Sequence, residues 1–268
     1  MVEEKIDSKV VKNLYQPPTD SHKGQSGVVL IVGGSKKFHG APLFAAKVAS
    51  KIVDLVYFSS VPENNELIKK MKSELCDFIA VPRGEVISAA EKSDCILIGP
   101  GLGVCEETKQ LTNGLLKKFP DKKLVLDADS LIVLDKSLLN KNCVVTPHSE
   151  EFRELFGIDA SKETVIRMAK KYSCIVVLKG VEDYVSDGEE LRVNTTGNAG
   201  MTKGGTGDVL AGLIAALACK NDLFLAAYAG VFINGTAGDR LKEKVSYYYN
   251  ASDLVDEIPK TLKEIIGS

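Results

Sequence analysis

Short, unbroken runs of β-branched and aliphatic residues recur along the chain, and each ends in glycine or polar residues. VVLIV (28–32) runs into Gly33-Gly34-Ser35, CILI (95–98) into GPGLG, and LVL (124–126) into Asp127-Ala128-Asp129. CVVT (143–146) runs into Pro147-His148, and CIVVL (174–178) into Lys179-Gly180. A run without polar alternation fits a strand covered on both faces. The segments between such runs read as helices over 41–53, 63–74, 85–92, 105–119, 150–156 and 162–171. Shorter strands are expected at 55–58 and 78–81. Strand and helix thus alternate for most of the chain, which predicts an α/β fold with a mainly parallel sheet between two helical layers. Asp187-Gly188 between two short β patterns predicts a hairpin over 183–186 and 191–194. Helices are expected from 207 onward, over 223–244 and over 252–266. Residues 1–20 read as an arm or short helix. No linker-like stretch interrupts the pattern, so residues 1–268 are expected to form one domain.

Charge and cysteine use narrow the partners. Lys and Arg number 34 against 36 Asp and Glu, so the net charge of −2 gives no electrostatic footprint for nucleic acid. No window approaches the ~18 apolar residues of a membrane span, and residues 1–15 lack a signal-type apolar core. The six cysteines are scattered without a CxxC pair, so a reduced, cytoplasmic chain is expected.

The polar strand ends should gather at one edge of the sheet, where open α/β folds bind ligands. The strongest of them is NAGMTKGGTGDVLAGL (198–213), a glycine-rich loop feeding a helix. Free amides of Gly204, Gly205, Thr206 and Gly207, backed by the helix dipole, would seat an anion. Asp208 would stand beside that anion in the first helical turn. Neither GxGxxG after the first strand nor GxxxxGK[ST] occurs, which argues against a dinucleotide-binding dehydrogenase and a P-loop NTPase. No His/Cys group has zinc-site spacing. Asp127 and Asp129 admit two readings, helix caps or cation ligands. His148 with Glu151 fits either a surface helix start or contact with substrate or hydrated Mg²⁺. Lys179 fits either a solvated strand end or a nucleotide contact.

The ordered set VVLIVGGSKKFHGAP, GPGLG, LVLDADSL, TPHSEEF, VVLKG and GNAGMTKGGTGDVLAGLIAAL resembles the carbohydrate-kinase-like family of ADP- or ATP-dependent NAD(P)H-hydrate dehydratases. The resemblance runs from about residue 21 to 240. It implies a ribokinase-like three-layer α/β/α fold and repair of hydrated NADH and NADPH. Repair would proceed by phosphorylation of the ring hydroxyl and elimination of phosphate, with Mg²⁺ bridging the phosphates of ADP or ATP. It assigns Ala41, Gly101, Gly103, His148 and Asp208 to the hydrate site, with Asp208 as general base. It assigns Lys179, Gly180, Val181, Glu182 and Asp183, with Gly207, to the nucleotide. The anion seat of Gly204, Gly205 and Thr206 joins that set, and the position of Glu151 three residues after His148 makes it a candidate for water-mediated contact with Mg²⁺. A homo-oligomer, often a tetramer, is implied too.

The chain departs from the family at two points: Asp183 stands where Thr is usual after KG, and TPHSEE replaces TPHPGE. Many relatives carry an N-terminal epimerase domain for which 268 residues leave no room, so an epimerase is expected on another polypeptide. Two other readings remain: a vitamin-precursor kinase of the same fold, and a nucleotide-binding protein without catalysis.

Overall fold

The computed structural model describes residues 2–71 and 77–267. The chain opens with β1 (Val2–Lys5) and a single-turn α1 (Ser8–Val11). There follow β2 (Val28–Val32), α2 (Gly40–Ala49), β3 (Leu55–Ser59), α3 (Pro62–Met71), β4 (Ile79–Ala80) and α4 (Val86–Lys92). Next come β5 (Cys95–Ile98), α5 (Glu106–Lys118), β6 (Lys123–Leu126), α6 (Asp129–Val133), β7 (Cys143–Val145), α7 (Ser149–Phe156) and α8 (Lys162–Tyr172). The chain continues through β8 (Ile175–Leu178), β9 (Asp183–Ser186) and β10 (Glu190–Asn194), and ends in α9 (Thr206–Ala218), α10 (Leu223–Val245) and α11 (Ala251–Gly267).

The strands form one ten-stranded sheet in the order β1-β10-β9-β8-β7-β6-β5-β2-β3-β4. Among the described residues only β9 runs antiparallel to its neighbours. The fold is the expected three-layer α/β/α arrangement. Alternate strand residues divide between two cores. Val29, Ile31, Phe58, Leu97, Val125 and Val144 face α2, α9, α10 and α11. Leu30, Val32, Ile96, Ile98, Leu126 and Val145 face the layer containing α4 to α8. Each such side chain stabilises the fold by about 1.5–3 kcal/mol when fully buried. Two-sided burial is therefore the physical content of the apolar runs.

The strand order reverses beside β2. The chain goes from β2 to β3 and β4, then returns to place β5 on the other side of β2. The chain leaves β2 and β5 toward opposite faces of the sheet, a switch point of the kind where such sheets place ligands. The two loops stay joined there by the Gly34 amide, which donates to the Pro100 carbonyl at 2.8 Å. Helix α9 packs closely against α2. A Cβ on Gly212 would come within 2.5 Å of the Ala45 Cα.

The structure differs from the sequence-based expectations in several places, among them the end of α2, which stops at Ala49 where the helix was expected to run to 53. Residues 2–5 form a strand, not part of a helix or loose arm. Polar VEEK has little strand signal of its own. It is held by pairing with β10, by ion pairs Glu3–Lys162 and Glu4–Arg192, and by burial of the following Ile6, Val11 and Leu14. The strand expected at 78–81 shortens to Ile79–Ala80. The helix after DAD, given no bounds from sequence, is the short α6, and α9 starts one residue early, at Thr206. Residues 72–74 of the expected third helix, and Cys76, lie outside the described residues. The five described cysteines are unpaired, four of them buried as small apolar groups.

Candidate active site

The loop before α9 is built around an open helix terminus. Gly205 is the N-cap, at φ 96°, and no side chain caps the helix. Its conformation excludes other residues twice over, because a Cβ there would also lie 2.6 Å from the Phe44 ring. Thr206 turns inward, its Oγ1 donating to the carbonyls of Met201 (2.6 Å) and Lys203 (2.9 Å). Among the described residues, the amides of Gly204, Gly205, Gly207 and Asp208 find no backbone acceptor. The lead-in segment is fastened from behind. Asp239 on α10 accepts from the Gly197 amide (2.9 Å) and from Asn198 Nδ2 (3.0 Å). Asn198 Oδ1 in turn accepts from the Gly200 amide and the Tyr249 hydroxyl. Lys203 Nζ donates to the carbonyls of Tyr247 and Tyr249. These bonds fix an anion seat that remains electrostatically unsatisfied.

Lys179 meets this seat from below. Its Nζ lies 3.6 Å from where a Cβ on Gly207 would be. It donates to Asp127 Oδ1 at 2.9 Å and stands 3.8 Å from Glu151 Oε2. Burial opposes its charge, but Asp127, Glu151 and Asp208 outweigh that and hold its pKa above the ordinary lysine value. It is therefore an ammonium. The reading of Lys179 as a solvated strand end does not hold. Burial, followed by the negative charge of Asp127, pushes the Asp208 carboxyl up to about 7. Lys179 pulls in the opposite direction, while Asp129 and Glu151 add to the rise. A carboxyl poised near neutrality in a cleft suits a proton acceptor.

Asp127 and Asp129 are not helix caps. Ala128 is the N-cap of α6, with φ 50° and no capping side chain. This strained residue sends its two neighbours to different tasks. Asp127, 2% exposed, turns to Lys179 and to Thr146 Oγ1, which donates to it at 2.7 Å. Asp129 Oδ2 accepts from the Gly103 amide at 2.8 Å and so anchors the GPGLG loop. The loops after β7 and β8 are also joined. His148 and Lys179 form a parallel bridge, and the Lys179 amide donates to Pro147 at 2.9 Å.

His148 is the N-cap of α7. Its Nδ1 accepts from the amides of Glu150 and Glu151, and its own amide donates to Glu151 Oε2 at 2.8 Å. A neutral ring accepting at Nδ1 carries its proton on Nε2. This reciprocal cap fits the surface-helix-start reading, yet His148 still stands on the rim beside Lys179.

The residues singled out by sequence come together unevenly. Asp208, Lys179, Gly207 and Glu151 share one cluster. Ala41 and Gly101 form another contact on the rim, since a Cβ on Gly101 would lie 3.2 Å from the Ala41 Cβ. Gly103 joins through Asp129. Val181 is fully exposed and Glu182 is exposed, touching Tyr184. Asp183 points inward. It accepts from the Gly180 amide (3.0 Å) and Asn194 Nδ2 (2.8 Å), and burial raises its pKa. In place of a threonine, it thus fastens the Lys179-Gly180 turn. Sequence reasoning missed Thr146 and Asp239, and missed Asp127 as the partner of Lys179. The DADS motif at a strand end was the available signal for Asp127.

Residues 29–260 match the model of the NAD(P)H-hydrate dehydratase family. The bifunctional NAD(P)H-hydrate repair enzyme Nnr of Methanocaldococcus jannaschii is 43% identical over 94% of this chain. The chain spans about half the length of that relative, 51%. The ADP-dependent (S)-NAD(P)H-hydrate dehydratase of Nitrosopumilus maritimus is 39% identical, with 95% of this chain and 94% of the relative covered. Among solved structures, the ADP/ATP-dependent NAD(P)H-hydrate dehydratase of Bacillus subtilis, co-crystallised with ATP and Mg²⁺, superposes with a TM-score of 0.84. It shares 25% identity, with 98% of each chain covered. Matched over most of its length by the family model and by relatives well above 30% identity, the chain belongs to the NAD(P)H-hydrate dehydratase family of carbohydrate-kinase-like proteins.

Proposed function

We propose that this chain catalyses the nucleotide-dependent dehydration of hydrated NADH and NADPH, restoring the reduced dinucleotides. The observation that carries this reading is the uncapped terminus of α9, whose amides lie next to a carboxyl pushed up to about 7. Asp208 takes the proton of the ring hydroxyl as that oxygen forms a bond to the terminal phosphorus of the nucleotide. The bond from that phosphorus to the nucleotide's bridging oxygen breaks, and its electron pair leaves with the nucleotide. The amides of Gly204, Gly205 and Gly207 and the Lys179 ammonium face the charge on the transferring group. In the second stage the ring C–O bond breaks with its pair going to phosphate. The neighbouring ring carbon loses a proton, and the double bond re-forms.

ADP is the favoured donor, in line with the name of the Nitrosopumilus relative. No cluster of three or more His, Cys, Asp or Glu side chains among the described residues is arranged to hold a metal. Glu151, whose carboxylate stands 3.8 Å from the Lys179 ammonium, would hold a hydrated Mg²⁺ through water. When bound, the ion would neutralise phosphate charge.

The test is incubation of the purified protein with hydrated NADH and either ADP or ATP. Recovery of the reduced-nicotinamide absorbance supports the reading. A stable phosphorylated product with no recovery would instead indicate a small-molecule kinase.

A further inference from the structure

We propose that Asp127 is a positioning residue for this reaction: with Thr146, it holds the Lys179 ammonium under the Gly207–Asp208 amides to meet the nucleotide's transferring phosphoryl group. This rests on the phosphoryl-transfer reading above and extends it to residues that the family resemblance did not assign.

The geometry leaves Asp127 little freedom. Its carboxylate is 3% exposed and its Oδ1 accepts from both Lys179 Nζ and Thr146 Oγ1. Its backbone is fixed on every side. The Asp127 amide donates to Ile98, while its carbonyl accepts from the Ser130 amide and from Ser130 Oγ at 2.9 Å. Ala128 follows in a strained conformation at φ 50°. Lysine, by contrast, is a flexible four-carbon stem carrying a point charge. Left alone, it would give up rotamer entropy to remain in a cleft. A rigid, buried carboxylate beneath it turns it into a preorganised cation. Glu151, at 3.8 Å, supplies charge but not a hydrogen bond. It cannot replace Asp127 as the orienting partner.

The experiment is a double-mutant cycle with Asp127→Asn and Lys179→Gln, read on the alkaline plateau of the pH profile, where Asp208 is ionised in every variant, by kcat, by the KM for the hydrate and by ADP affinity in calorimetry. Lys179→Gln should lower kcat by about 10²-fold or more, as for loss of one transition-state donor. Asp127→Asn should lower it by at least tenfold with the hydrate KM little changed. The double variant should be no worse than Lys179→Gln alone. Multiplicative losses, or an Asp127→Asn enzyme as fast as wild type, would overturn the proposal. If Asp127→Asn does not fold, Thr146→Val provides the second arm. It removes the other hydrogen bond to Oδ1, and its smaller loss must also disappear in the Lys179→Gln background. Failure of the dehydratase reading is visible separately, as a wild-type protein that binds ADP without turning over the hydrate. The cycle is then read on ADP affinity, where each single variant should lose about tenfold and the double no more. Additive losses there would equally overturn the proposal.

Discussion

A Cβ built on Gly99 would lie 1.7 Å from the carbonyl oxygen of Asp127. The end of β5 and the end of β6 therefore touch backbone to backbone, at a residue whose φ of 133° already disfavours a side chain. Gly99→Ala is expected to destabilise the protein by on the order of 3 kcal/mol or more, combining overpacking with backbone strain. A lowered midpoint in urea unfolding checks this. An unchanged midpoint would mean that the two strand ends do not meet in this way.

Asp208→Asn should lower kcat by about 10²–10⁴-fold, the usual range for loss of a general base. Nucleotide affinity should be nearly unaffected, because the amide seat is backbone. Steady-state turnover and calorimetry separate the two quantities. Turnover close to wild type would remove Asp208 from the proton-transfer role.

The same carboxyl gives two pH signatures of opposite sign. As a base it must be ionised, so kcat/KM should rise with pH through about 7 and then level off. For stability, its folded pKa of about 7 lies above the unfolded value near 3.8. The fold thus binds the proton more tightly than the unfolded chain. That contribution is full below about 4 and is lost as pH rises to about 7. Relative to Asp208→Asn, the wild type should therefore lose stability across this window. Melting temperatures of both proteins at pH 5 and pH 8 test the sign.

Asp183→Ala removes the acceptor for both the Gly180 amide and the Asn194 side chain. The cost should be about 1–3 kcal/mol. Asp183→Asn keeps one acceptor and should recover part of it. Chemical denaturation of the three proteins would show the ranking. If Asp183→Ala is neutral, the turn is held by other means.

The layered fold was legible because its signal is local. Each buried strand reads as an apolar run, and each site loop as the polar residues that end it. What escaped depends on which strands become neighbours. Asp127 and Lys179 are 52 residues apart, on strands separated by β7 in the sheet, and only the strand order brings their side chains together. For the same reason Asp129 read as either a cap or a cation ligand, when its carboxylate in fact reaches the Gly103 amide one strand away. Asp208 was legible as an acid beside an anion seat, but not its poise near 7. That depends on burial and on Asp127, which lie outside its own motif. The strand at residues 2–5 was illegible because its order comes wholly from its partner.

That partnership has a consequence for assembly. Val2 pairs with Glu190, across 188 positions of chain. At ribosomal rates of about 5–20 residues per second, β1 is made roughly 10–40 s before β10 exists to receive it. The central parallel strands can form without it, so sheet completion at this edge is a late, long-range event of the kind that slows folding. A waiting strand of composition VEEK is charged enough to stay solvated, where an apolar one would seek other partners. The polar composition that hid β1 from sequence reading would keep the waiting strand from pairing with a second chain.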